Sequence, residues 1–354
     1  MEIRNPNCNL NYFKNSLPVV SVEFQETSKK PSRILLMTKV AVTGGAGFIG
    51  SNLTRRLLAE GHDVIVIDDL STGLITNVDK ESTTFYQVSI ADTGQLSKAL
   101  EGCETIFHLA ARGSVPRSIK NPIATHDINA TGTLNVLEVA RKNQAHVVYS
   151  SSSSVYGRNM QLPKDESMWL GPMTPYAASK LSAEGYMQAY ASTYNVPITL
   201  LRFFNVFGPR QRPDHEYAAV LPKWIWLAMQ GKSIEVYGDG TSSRDFTYVE
   251  TVLDIAIIAM NQRVTTDGAV NLAYGNRILL NDVIALLEKY FPSLQVSYKE
   301  SRLGDVKESQ NSPKLLHALF PNVTPKPFEE ALSETIDWLR TYGHSVANGT
   351  KILD

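Results

Sequence analysis

A short apolar run, Lys39-Val40-Ala41-Val42-Thr43, empties into Gly44-Gly45-Ala46-Gly47-Phe48-Ile49-Gly50, and a helical pattern follows at once. Each glycine in that turn has its own physical task. Gly44 lets the chain turn tightly after a strand, and Gly47 keeps side-chain bulk away from the backbone amides. Gly50 lets the helix lie close to the sheet. The helix N-terminus, where Phe48 and Ile49 sit, then offers free N–H groups and a positive dipole end to phosphates. A second apolar run, Val64-Ile65-Val66-Ile67, ends in Asp68, about twenty residues past the turn, where such folds hydrogen-bond an adenosine ribose. An acid there repels a 2′-phosphate, so the pattern predicts a site for NAD rather than NADP.

Around this unit strand and helix patterns alternate, which predicts an α/β fold, a Rossmann-type doubly wound parallel sheet. Strands are expected near Phe85–Val88, Thr105–Leu109, Val147–Tyr149 and Ile198–Leu201, and helices over Phe48–Glu60, Ala124–Lys142 and Pro175–Tyr194. After Asn205 the rhythm changes. Gly208-Pro209-Arg210-Gln211-Arg212-Pro213 is a basic, proline-bracketed loop. Shorter elements follow: strands near Ile234–Tyr237 and Ala269–Leu272, and helices near Ala219–Gln230, Leu253–Asn261, Asn281–Tyr290 and Phe328–Thr341. The reading is three segments: residues 1–37 a poorly ordered arm, 38–205 an NAD-binding Rossmann domain, and 206–345 a smaller mixed α/β substrate domain. Residues 241–262 are expected to return to the first domain. The arm has no helical or strand period and no signal-peptide pattern, and Met37 is a second candidate start.

The 354 residues carry a net charge of −1, which gives no electrostatic case for nucleic acid or an anionic membrane. No apolar run approaches the ~20 residues a bilayer requires. Cys8 and Cys103 offer neither a disulfide framework nor metal-ligand spacing. The expectation is a cytoplasmic chain with reduced thiols and no metal.

Tyr176 and Lys180, in Tyr176-Ala177-Ala178-Ser179-Lys180, stand at i and i+4 on one helix face. A phenol of pKa ~10 is a poor base at neutral pH, and a neighbouring ammonium is expected to lower it and make Tyr176 a general acid and base. The pair lies one helix beyond the serine run Ser150–Ser154, whose hydroxyls end the fifth strand and can reach the same substrate oxygen.

With these motifs the chain resembles the extended short-chain dehydrogenase/reductases, specifically the NAD-dependent nucleotide-sugar epimerase/dehydratase family, from Lys39 to about Arg340. In the family's serine-serine-x-x-valine-tyrosine-glycine segment the second serine is catalytic, and Val155-Tyr156-Gly157 sets the register that gives Ser152 this role. The resemblance implies NAD contacts from Gly44, Gly47, Phe48, Ile49, Asp68, Asp69, Ser71, Thr72, Gly73, Ser89, Ile90, Leu109, Ala110, Ala111, Asn129, Tyr176, Lys180 and Val206. For a UDP-sugar it implies Ser114, Ser152, Ser153, Asn205, Ala219, Val220, Tyr237, Arg244, Arg302, Asp305 and Ser309. Arginine forks suit a diphosphate, and an acid suits ribose hydroxyls. Ser89, Arg212, Thr251 and Ser312 stand where relatives carry acids.

Dehydratases of the family place Asp-Glu directly after the catalytic serine. Here Ser153 and Ser154 follow, so the resemblance points to a 4-epimerase acting through a 4-keto intermediate and transient NADH. The loop Gly113–Ser118 is similar to that of UDP-N-acetylglucosamine 4-epimerases. Ser309 falls where glucose-restricted relatives carry tyrosine, which leaves room for an N-acetyl arm. UDP-GlcNAc and UDP-GalNAc are therefore the expected pair, with UDP-Glc and UDP-Gal as further substrates. UDP-hexuronic acids are the nearest alternative, through Arg117 or Arg212. A non-catalytic NAD(P)-sensing regulator on the same fold would not need Ser152, Tyr176 and Lys180 together. By analogy with relatives, Ala124–Lys142 and Pro175–Tyr194 form the interface of a homodimer.

Overall fold

The computed structural model describes residues 37–214, 218–300 and 308–347. The expected N-terminal arm, Met37 apart, lies outside the described residues, as do Arg302 and Asp305.

Six strands alternate with helices through the first half of the chain: β1 (Lys39–Thr43), β2 (Asp63–Ile67), β3 (Thr84–Tyr86), β4 (Thr105–His108), β5 (His146–Ser152) and β6 (Ile198–Phe203). The helices between them are α1 (Phe48–Ala59), α2 (Thr93–Ala99), α3 (Val115–Lys120), α4 (Pro122–His126), α5 (Gly132–Asn143) and α6 (Pro175–Tyr194). The later elements are β7 (Val206–Phe207), α7 (Val220–Met229), β8 (Ile234–Tyr237), β9 (Ser243–Arg244), β10 (Thr247–Tyr248), α8 (Val249–Gln262) and β11 (Ala269–Leu272). They continue with β12 (Ile278–Leu279), α9 (Leu280–Tyr290), β13 (Val296–Lys299), α10 (Lys314–Leu319) and α11 (Phe328–Ala347).

Seven strands pair in the order β11-β6-β5-β4-β1-β2-β3, every neighbour parallel. Strand order reverses between β1 and β4, and the crevice at their C-terminal ends is where such sheets bind ligands. The sheet takes β11 from beyond residue 205, so the second half of the chain supplies its outer edge. The remaining strands form the small pairs β7–β10, β8–β13 and β9–β12.

Alternation along each strand divides the core. Val40, Val42, Val64 and Val66 face Leu53 and Leu57 of α1 and Val252, Ile255 and Ala259 of α8. Ala41, Ile65, Ile106 and Val147 face Val136, Leu137 and Ala140 of α5 and Ala183 and Met187 of α6. Burial on both faces is why these strands read as continuous apolar runs.

α6 matches its sequence expectation at both ends, because both ends are capped. Thr174 accepts a hydrogen bond from Ala177 N, Pro175 opens the first turn, and Asn195 closes the helix at φ 54°. The helix expected over 124–142 is instead α4, a π-helical turn over Asp127–Thr131, and α5. The Thr133 hydroxyl donates to Asn129 O at 2.6 Å within this stretch, and the wider turn directs the Asn129 amide inward. α3 falls where the sequence resemblance implies a loop, Gly113–Ser118. It forms because Ser114 accepts from Arg117 N and Pro116 occupies the first turn. No described helix is long and apolar enough to cross a membrane.

Candidate active site

A cleft of about 970 Å³ opens at the C-terminal ends of β1, β2, β4, β5 and β6. At its centre the glycine turn leaves no room for side chains. Gly44 sits at φ 76°, and a Cβ there would lie 2.7 Å from Ala110 N. A Cβ on Gly50 would lie 2.2 Å from Gly44 O, so α1 starts in contact with the turn. Gly47 precedes α1 with no side-chain cap, and Phe48 and Ile49 line the cleft at the open helix terminus. This is a cradle for an anion.

At one end of the cradle Asp68, buried at the tip of β2, accepts from Ala46 N at 3.0 Å and Leu70 N at 2.8 Å. Burial pushes its pKa up while these two N–H groups pull it down. Each oxygen keeps a lone pair for a ribose hydroxyl. Asp69, Ser71 and Thr72 line the cleft beside it. Gly73 does not. It lies behind Asp68, where a Cβ would meet the carboxylate at 2.8 Å, so its smallness shapes the acid's seat. Ser89 and Ile90 also line the cleft, as do Leu109, Ala110 and Ala111 just past β4 and Val206 in β7. Asn129 is buried outside the cleft lining. Its Oδ1 accepts from Arg112 N at 2.7 Å, and its Nδ2 donates to Ser179 Oγ at 2.9 Å and Arg112 O at 3.3 Å. With both amide hydrogens committed, it clamps the 112 loop to α6 rather than facing a ligand.

Ser152, Tyr176 and Lys180 line the other end of the cleft. Ser152 ends β5 and accepts from both N and Oγ of Ser154, at 3.2 and 3.0 Å. Its own hydroxyl hydrogen remains available to Tyr176, whose pKa the serine pulls down. Lys180 is buried, donates to Ser150 O at 2.7 Å and lies 4.9 Å from the centre of the Tyr149 ring. The sequence expectation that Lys180 acidifies Tyr176 is not met in the ligand-free chain. Desolvation holds the phenol above its usual pKa, and the opposing influence comes from Ser152. The ammonium is itself lowered to about 8 by burial, against the pull of Glu184.

Two features here were not anticipated from sequence. Glu184, one turn past Lys180 on the same helix face, forms a buried two-pronged pair with Arg202 at 3.0 and 2.8 Å. It also accepts from Ser151 at 2.5 Å, joining α6 to β5 and β6 beneath the catalytic end. Extending the Tyr176–Lys180 spacing by another turn would have found it. Below the glycine turn, His108 bridges Thr43 and Thr133 at 2.8 and 2.9 Å. Because Thr133 donates to Asn129 O, His108 Nε2 carries the hydrogen; burial lowers its pKa to about 3, so it is a neutral strut.

On the substrate side Ser114, Asn205 and Ala219 line the cleft. Ser153, Val220, Tyr237, Arg244 and Ser309 do not. Tyr237 donates to Glu235, Arg244 opens on the β9–β12 pair, and Ser309 N donates to Ser243 O at 3.2 Å beside it. Residues 301–307, which precede Ser309 in the chain, lie outside the described residues.

A doubly wound sheet with an anion cradle at its switch point, a ribose-binding acid and a serine–tyrosine–lysine cluster defines a dinucleotide-dependent enzyme of the short-chain dehydrogenase class. The profile of the NAD dependent epimerase/dehydratase family matches residues 40–273, and the chain belongs to that family. A putative UDP-glucose 4-epimerase of Methanocaldococcus jannaschii is 32% identical over 85% of this chain and 98% of its own. Among solved structures, a UDP-N-acetylglucosamine 4-epimerase from Methanobrevibacter ruminantium, in complex with UDP-N-acetylmuramic acid, is 35% identical. It has a TM-score of 0.82 over 86% of this chain and 99% of that one. A UDP-glucuronic acid 4-epimerase from Bacillus cereus, in complex with UDP-glucuronic acid and NAD, is 28% identical, with a TM-score of 0.79 over 86% and 100%. The cofactor is NAD, and the glycine cradle with Asp68 fits it.

Proposed function

We propose that the chain is a UDP-sugar 4-epimerase interconverting UDP-GlcNAc and UDP-GalNAc, and UDP-Glc and UDP-Gal as well. The observation that carries this reading is the Ser152–Tyr176–Lys180 cluster at one end of the cleft, with serines rather than an acid pair after Ser152. Water elimination needs such a pair, whereas epimerisation needs one proton carrier, a hydride acceptor and a sugar able to turn. NAD, held by the glycine cradle and Asp68, would supply the hydride acceptor for C4. Tyr176, as the phenolate, would take the C4-hydroxyl proton directly or through the Ser152 hydroxyl, while the C4 hydride leaves to the cofactor and returns to the opposite face after the sugar turns. Lys180 holds positive charge beneath the pair. The 4-keto sugar turns over while its UDP stays held, Tyr176 returns the proton, and C4 is rebuilt with the opposite configuration.

The sugar choice is supported by the likeness to the M. ruminantium enzyme and, through the family resemblance alone, by the small residue at Ser309, which stands outside the cleft lining. A methyl-scale misfit discriminates by only ~1–3 kcal/mol, which is why acceptance of both sugar pairs belongs to the proposal. A second reading, UDP-hexuronic acids, draws support from Arg117 and Arg212, which both line the cleft. Arg212 is already forked onto Asp214 at 3.0 Å, which leaves less of its charge for a sugar carboxylate. The exposed side of α6 presents Ala178, Gly185, Tyr186 and Ala189, a surface suited to close helix packing, and we propose a homodimer through α5 and α6. A cytoplasmic setting for the enzyme is part of the same reading.

The deciding experiment is turnover of the purified protein on a panel of UDP-sugars with product epimers separated. Turnover of UDP-GalNAc is expected. Activity on UDP-Gal with none on UDP-GalNAc would overturn the sugar choice, and NAD binding with no turnover at all would favour the regulator.

A further inference from the structure

Arg210 follows Pro209 in the loop after β7 and has no role so far. Its backbone stands at φ 69°, a conformation rare for a side chain as large as arginine. The residue is 7% exposed and lines the cleft together with Gly44, Gly47, Leu74 and Asn77. Two amide clamps fix it there. Asn52 of α1 donates to Pro209 O at 2.9 Å. Asn77 accepts from Arg210 Nη1 at 3.1 Å and donates to Ala46 O in the glycine turn at 3.0 Å. Arg210 is thereby tied through one side chain to the turn whose amides form the anion cradle.

The charge is not balanced. Among the described residues no carboxylate forms an ion pair with Arg210, and its only hydrogen bond is to the neutral Asn77 amide. The charge acting on it is another cation, Arg55 of α1. Buried arginines are ordinarily paired, because an unpaired buried charge is costly. Burial and Arg55 together lower its pKa to about 10, which leaves it charged at neutral pH.

We propose that Arg210 is a further cofactor-binding residue, whose guanidinium neutralises the diphosphate of NAD beside the glycine turn. A fork of N–H donors matches phosphate oxygens. The strained backbone and the two clamps hold the fork ready for an anion the chain itself does not provide. The same chemistry exists on the UDP half of the substrate. The link through Asn77 to Ala46 assigns Arg210 to the dinucleotide. The inference stands on NAD binding and is independent of which sugar is epimerised.

The test uses the full chain freed of nucleotide, with affinities for NAD, ADP-ribose, adenosine and UDP measured by titration calorimetry. Melting temperatures are recorded with and without NAD. Losing a charge-assisted contact weakens binding by about ten- to a hundred-fold. Arg210→Ala is expected to weaken NAD and ADP-ribose to that extent while leaving adenosine and UDP unchanged, and Arg210→Lys recovers part of the loss. Without NAD, Arg210→Ala melts at or above the wild-type temperature, since it sheds an unpaired buried charge; with NAD it melts below. Equal weakening of adenosine, or weakening of UDP with NAD spared, would overturn the assignment. So would a nucleotide-free melting temperature that falls as far as the NAD-bound one, since that is what a purely structural arginine gives.

Discussion

Replacing Lys180 with methionine sets catalysis against stability in a way the geometry quantifies. Lys180 is 3% exposed, and among the described residues its hydrogen-bond acceptor is the Ser150 carbonyl. Burial lowers its pKa from 10.5 to about 8. Keeping the ammonium charged in the fold therefore costs about 3 kcal/mol relative to the unfolded chain. The sign follows from proton counting. Below pH 8 the group is charged in both states and the whole cost is present; as pH rises from 8 towards 10.5 the folded protein sheds its proton first and the cost fades. Methionine fills similar volume without charge, and the lost bond to Ser150 O returns about 1 kcal/mol of the gain. Lys180→Met is thus expected to stabilise the NAD-free protein by roughly 2 kcal/mol at pH 7. That advantage shrinks by about 1 kcal/mol at pH 9, while turnover falls by about a hundredfold or more. Urea denaturation at the two pH values, alongside epimer turnover, reads all three quantities. A variant that is destabilised at pH 7, or whose difference from wild type is the same at both pH values, would refute the reasoning.

Tyr176→Phe is expected to keep the fold and the NAD affinity while lowering turnover by about 10²–10⁴-fold, as product separation would show; undiminished epimerisation removes Tyr176 from the chemistry. Glu184→Gln leaves Arg202 buried and uncompensated and is expected to cost about 3–5 kcal/mol in urea denaturation. The double change Glu184→Leu with Arg202→Met should recover most of it, and equal losses in single and double variants would mean the pair is not the source. Ser309→Tyr is expected to suppress UDP-GalNAc turnover by about tenfold or more while sparing UDP-Gal, from competing substrate assays. Parallel loss on both sugars would take Ser309 out of substrate choice.

How much of this was legible depended on whether the signal is local. The glycine turn, Asp68 and α6 were readable because each is fixed by neighbours in the chain: small residues at a turn, an acid at a strand end, caps at both helix ends. β11 was located as a strand but expected in the second domain. Its place at the sheet edge depends on pairing with β6, about seventy residues earlier. The short helices α2 and α3 carry too few turns to display a period. The π turn over Asp127–Thr131 is invisible to a search for 3.6-residue repeats, and with it went the inward rotation of Asn129. Family resemblance supplied the list of ligand contacts, but not which of them, such as Gly73, act by shaping a neighbour.

The largest difference between sequence and structure concerns charge, and it bears on how the site works. The i, i+4 spacing placed an ammonium beside a phenol, and the inference was that the first acidifies the second. In the folded chain both groups are desolvated. The phenol is driven up and the ammonium down, so each is shifted towards its neutral form. Ser152, by donating to the phenol oxygen, favours the phenolate, and Glu184 favours the charged lysine, but in both cases desolvation is the larger influence. NAD in its oxidised form would bring a further positive charge into the cleft, and positive charge near a phenol favours the phenolate. The protein alone therefore holds Tyr176 protonated. A filled cofactor site would favour Tyr176 as a base, which couples proton removal to the presence of the hydride acceptor.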